Sequence, residues 1–84
     1  MESFTRDDAR KIMHYYAPKL VGLNIPDSDF KIVRLQVMQM KNKEWGVFCI
    51  GLHDIDVAKH SVEAVVPVFG FQSPREVLDD LNQS

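Results

Sequence analysis

Cysteine is almost missing from this chain of 84 residues: Cys49 is the only one. A disulfide framework within the chain is therefore excluded, and a cysteine-based zinc site lacks its usual partners. Long apolar runs are missing as well. No stretch approaches the roughly 18 consecutive apolar residues of a membrane span, and the charged start MESFTRDDARK has no apolar core of a secretory signal. An excess of one charge is also lacking: 10 lysines and arginines face 12 aspartates and glutamates, for a net charge of −2. A domain that binds polyanions is normally clearly basic, so nucleic acid is not the expected partner. Repeats, low-complexity segments, tags and linkers are absent, and the chain reads as one complete cytoplasmic domain, residues 1–84, with no membrane association.

What is present suffices for a fold. Hydrophobic residues make up 45% and charged residues 26%, the balance of a folded domain rather than a disordered one. A chain this short buries about 60–65% of its unfolded surface, enough for one modest core.

Four segments carry structural signals. In FTRDDARKIMHYYAPKL, Thr5 suits a helix N-cap, with Asp7 and Asp8 at the positive end of the helix dipole. Ala9, Ile12, Met13, Tyr16 and Leu20 recur at helical steps. Pro18 lacks the N–H of an interior turn and predicts an end or a kink near Tyr16. FKIVRLQVMQM and WGVFCIGL flank the polar KNKE and read as a β-hairpin. An even loop pairs Met40 with Trp45. It gathers Val33, Leu35, Val37, Phe48, Ile50 and Leu52 on one apolar core face; an odd loop would shift the register and spoil that face. SVEAVVPVFGF has helical spacing at Ala58, Val62, Val65, Val66 and Phe69, but its valines and Pro67 favour a third strand over 62–69, at an edge or a bulge. A short helix over 57–65 is the alternative. SPREVLDDL opens a final helix, with Ser73 as N-cap, Pro74 in the first turn and Glu76 completing a capping box. The sum is a two-layer α+β fold of order α-β-β-β-α: a three-stranded antiparallel sheet with the N- and C-terminal helices on one face.

Two features bear on function. LHDIDVAKH places His53, Asp54, Asp56 and His60 within nine positions. Imidazole and carboxylate suit zinc, iron or manganese, so His53, Asp56 and His60 are the metal candidates. The spacing matches no zinc motif. The simpler reading is a polar link in which Asp54 or Asp56 accepts backbone hydrogen bonds. Cys49 and His53, four apart along a strand, would stand about 13 Å from one another, a poor geometry for a nucleophile and its base. The second feature is the outer hairpin face, where Met38, Met40, Trp45, Val47 and Cys49 make an apolar patch beside Arg34, with Tyr15 at the flank of the first helix. Contiguous exposed apolar surface marks interfaces, and Trp and Met are enriched in them; the other reading is that the fold covers this face itself. The turn lysines near Trp45 are expected to be solvated. The expectation is a small non-enzymatic protein-interaction module, a regulator, inhibitor or adaptor of the size of phage-type inhibitors. It would dock Trp45, Met38, Met40, Val47, Arg34 and Tyr15 on another protein or on its own copy as a homodimer, with no catalytic residue and no cofactor. The alternative is a small metal- or His/Asp-dependent enzyme built on the segment from His53 to His60.

Overall fold

The computed structural model describes residues 4–83. Helix α1, Arg6–Leu20, starts at a reciprocal cap: the Thr5 hydroxyl accepts from the Asp8 N–H at 3.1 Å, and the Asp8 carboxylate accepts from the Thr5 N–H at 3.2 Å. Its inward stripe, Ala9, Ile12, Tyr16 and Leu20, is fully buried. Of the end or kink expected near Tyr16, the end does not form: Pro18 lies inside the helix, which runs on to Leu20. A proline removes one helical hydrogen bond, whereas the extra turn buries Leu20 and lets the Val21 N–H reach the Ala17 carbonyl at 3.0 Å.

Strands β1, Arg34–Gln39, and β2, Trp45–Ile50, form an antiparallel pair. The register differs by one residue from the expected one: Trp45 pairs with Gln39, Val47 with Val37 and Cys49 with Leu35. The cause lies in the loop. Met40 and Glu44 close a three-residue turn, with Met40 N–H to Glu44 O at 2.8 Å and Lys43 N–H to Met40 O at 2.9 Å. Lys43 takes a left-handed conformation at φ 69°, the geometry of a three-residue hairpin with a bulge. Asn42 locks it, accepting from the Glu44 N–H at 3.1 Å.

The slip exchanges the two faces of β2. Leu35, Val47 and Cys49 belong to the buried cluster under α1, joined by half-buried Val37 and Trp45. Phe48 and Ile50, expected beside Leu35, are buried on the opposite face. Before β1 the parity shifts again. The Val33 N–H donates to the Ile50 carbonyl at 2.8 Å although Ile50 pairs with Arg34, so two residues oppose one as in a bulge. Ile32 is therefore fully buried, while Val33 is exposed.

The third strand is not formed, and the sheet has two strands. Residues 57–69 fold instead as a 3-10 turn (Val57–His60), a short helix α2 (Val62–Val65) and a second 3-10 turn (Val66–Phe69). Helical spacing wins over the β-propensity of valine because it buries Val62, Val65 and Val66 together. Ser61 caps α2, accepting from the Ala64 N–H at 3.3 Å. Pro67 opens the second turn, where a missing N–H costs nothing. A single bridge, Phe48 to Ser61, ties the segment to the outer edge of β2, and another, Phe4 to Trp45, caps the same edge nearer the turn.

Helix α3, Pro74–Gln83, begins as its sequence predicts, with the Ser73 hydroxyl accepting from the Glu76 N–H at 3.3 Å. It packs on α1 through Val77 and Leu78. Two hydrogen bonds join these elements: the buried Tyr16 hydroxyl donates to the Gln72 carbonyl just before α3, and Lys11 Nζ donates to Asn82 Oδ1 at 3.1 Å. The architecture is thus α+β with three helices and a two-stranded sheet. Among the described residues no helix is long and apolar enough to cross a membrane.

A left-handed conformation costs a non-glycine residue about 1–2 kcal/mol, and glycine's greater unfolded-state freedom offsets part of the relief. Lys43→Gly is expected to stabilise the protein by about 0.5–1 kcal/mol. Thermal unfolding should show a Tm several degrees higher; an unchanged or lower Tm would mean that the turn geometry does not set the register.

Candidate functional site

Trp45 is the half-buried wall between two clefts. Its place at the start of β2 follows from the three-residue turn, and the register points its ring toward α1, where the Arg6 guanidinium lies 5.9 Å above it. On one side is an apolar groove of about 220 Å³, lined by Phe4, Met40, Phe48, Ala58 and Val62 and bordered by Glu44 and Glu63. Four separate parts of the chain meet there. Gly46 lies in its floor, and a side chain at that position would meet the Phe48 ring at 3.1 Å. On the other side, a cleft of about 330 Å³ runs between α1 and the hairpin, lined by Arg6, Arg10, Met13, Val37 and Trp45.

The expected apolar patch is split by the register. Trp45 and Val47 face α1, and Val47 is buried. Met38 and Met40 project to the opposite face, which they share with Arg34, Gly46 and Phe48. Arg34 donates to Gln36 Oε1. Tyr15 stands apart on α1, packed edge-on to Tyr16 at 5.0 Å with Lys19 Nζ over its ring at 4.9 Å. Of the expected docking residues, Met40, Trp45 and Val47 line one groove together, while Met38, Arg34 and Tyr15 do not. Phe4, Val62, Arg6 and Arg10 were not among the expected residues. The four-residue spacing of the two arginines places them on one helix face, a signal that the sequence does contain.

The LHDIDVAKH segment divides in a different way. His53 and His60 line a common cleft of about 390 Å³ with Phe30 and Gly51. His60 stacks on Phe30 with ring centroids 4.1 Å apart. Asp56 is turned toward Lys59, 3.2 Å away. Among the described residues no group of three or more His, Cys, Asp or Glu side chains converges as a metal site would need. Neither aspartate accepts the expected backbone hydrogen bond: Asp56 occupies the N-cap position without a side-chain bond, and both Asp54 carboxylate oxygens are buried with no hydrogen-bond partner among the described residues. Leu52 and Ile55, between these polar residues, are 81% and 90% exposed.

Cys49 is fully buried. Burial, and then the Asp54 carboxylate, push its thiol up to about 12. It stays protonated at neutral pH, and the thiolate that a nucleophile needs does not form. Burial likewise raises Tyr16 to about 12, assisted by Tyr15 and Glu76. Both groups favour their protonated form in the fold. Their contribution is complete below the unfolded values and is lost as pH rises from about 9 toward 12. Urea unfolding at pH 7 and pH 10 should show this fall, and Cys49→Ala should make it shallower. A fall of equal size in the variant would remove Cys49 as a cause.

No family model, curated protein or solved structure gives a significant match to the chain.

Proposed function

We propose that the protein is a small non-enzymatic interaction module that docks a peptide segment of another protein at Trp45. The observation that supports this is the groove of about 220 Å³ between Phe4, Met40, Trp45, Phe48 and Val62, an apolar concavity with carboxylates at two points of its border. Small-molecule sites usually measure about 300–1,000 Å³. A groove below that range suits a single apolar side chain presented by a peptide. Aromatic residues at the centre of a concave apolar surface carry much of the affinity in such contacts. A regulator, inhibitor or adaptor would work this way, occupying or recruiting its partner without chemistry of its own.

Selection of random peptides displayed on phage against the immobilised protein tests the reading. The selected peptides should share an apolar anchor. Their binding should fall at least about tenfold, roughly 1.4 kcal/mol, in Met40→Glu, a substitution at a side chain 39% exposed that should leave the fold intact. Peptides that bind Met40→Glu as tightly, or no enrichment at all, would overturn the reading. A dimer mass in native mass spectrometry that Met40→Glu dissociates would instead assign the groove to a second copy of this chain.

A further inference from the structure

We propose that the cleft between α1 and the hairpin binds an acidic peptide segment, its carboxylates held by Arg6 and Arg10 and an apolar side chain seated against Trp45, Met13 and Val37. The inference keeps the peptide-docking reading of the surface at Trp45, places a second contact on the other side of its ring from the Met40 groove, and adds the chemistry of the partner there.

The charge of this cleft is opposite to that of the chain. The protein carries a net charge of −2, yet the charged residues lining the cleft are Arg6 and Arg10 alone. Neither makes an ion pair among the described residues, where the one such pair is Lys59 with Asp56. Of the acids of the first turn, Asp8 accepts from the Thr5 N–H, and neither it nor Asp7 lies within ion-pair distance of the two arginines. Arg6 is held over the Trp45 ring, which orders the guanidinium and leaves its N–H fork for an acceptor. Arg10 is one turn further along the exposed side of α1, with Cβ atoms about 5–6 Å apart at that spacing. Alternate residues of an extended segment are about 6.6 Å apart, so two carboxylates at alternate positions match the two arginines. The apolar floor beside them excludes a purely ionic ligand as the best fit. A long polyanion is disfavoured by the acidic remainder of the molecule.

Trp45 is the only tryptophan, so its emission reports a ligand in either cleft beside it, and the arginine variants assign the signal to this one. The probes are three synthetic peptides with one leucine beside two charged positions spaced by one residue, carrying glutamate, glutamine or lysine there. Titrated into the full chain at low salt, the glutamate peptide should shift Trp45 emission and bind at least about tenfold more tightly than the glutamine peptide. The preference should shrink as salt is raised. Arg6→Gln with Arg10→Gln should abolish it, and Arg10→Gln alone, at an exposed residue, should weaken it several-fold with an unchanged melting curve.

Equal affinity for glutamate and glutamine peptides, insensitivity to the arginine changes, or no binding of any peptide at millimolar concentration would overturn the proposal. Preference for the lysine peptide, lost in Glu44→Gln with Glu63→Gln, would also overturn it while supporting the groove that these two carboxylates border. Glutamate-peptide binding that survives Met40→Glu but not the arginine changes would support this cleft, and the groove at Met40 then stands or falls on its own peptide selection.

Discussion

One backbone conformation, the left-handed turn at Lys43, decides which side chains of β2 meet α1. Side chains alternate along a strand, so a loop longer or shorter by one residue exchanges the two faces. With three residues in the loop, Val47 and Cys49 go under the helix while Phe48 and Ile50 go to the far side. The left-handed residue costs about 1–2 kcal/mol. Full burial of one large apolar side chain returns about 1.5–3 kcal/mol, and four consecutive residues of β2, Val47 to Ile50, are buried. Packing therefore outweighs the strain of the turn that sets the register.

That arrangement explains the segment from Val57 to Phe69. The cluster that Val47 and Cys49 form under α1 is completed by the valines of this segment. The segment packs along β2, bridged at Ser61, with Val62, Val65 and Val66 in the core cluster. As a third strand it would pair with the outer edge of β2 and send alternate valines to solvent. As short helical turns it keeps three of them inside. Phe30 closes the far end, where it lies against Gly51 closely enough that a Cβ there would meet the ring at 2.9 Å and the Lys31 carbonyl at 3.1 Å.

Local chemistry made α1, the hairpin and α3 legible in the sequence. Thr5, Ser73 and Pro74 act at helix starts through groups within a few residues of them, and those contacts form as the spacing predicts. The register was not legible, because a one-sided sheet was assumed. VFCI has no polar residue to mark an outer face, and an unbroken apolar run is the mark of a strand covered on both sides. The two prolines act differently from a simple stop signal: Pro18 costs one hydrogen bond that buried Leu20 outweighs, and Pro67 sits in a first turn where no N–H is needed. Of the groove, the sequence pointed to Met40, Trp45 and Val47 but not to Phe4 or Val62, which reach it through the long-range bridges Phe4 to Trp45 and Phe48 to Ser61, contacts that no local pattern encodes.

The position of Trp45 between clefts of opposite border charge limits how a partner could approach. A standard interface covers about 800 Å² on each partner, about one-seventh of the 5683 Å² that the protein exposes. A footprint of that size centred on Trp45 spans both clefts. Its charges would have to change sign across the ring, negative toward Arg6 and Arg10 and positive toward Glu44 and Glu63. Pairs at the rim of an interface add little affinity in water, but a reversed orientation would place like charges opposite one another on both sides at once. Opposed charges across an interface set orientation and exclude wrong partners more than they add to affinity. On the proposed reading, the apolar contacts at Trp45 and Met40 would supply the binding energy, and the flanking charges would determine which way round the partner lies.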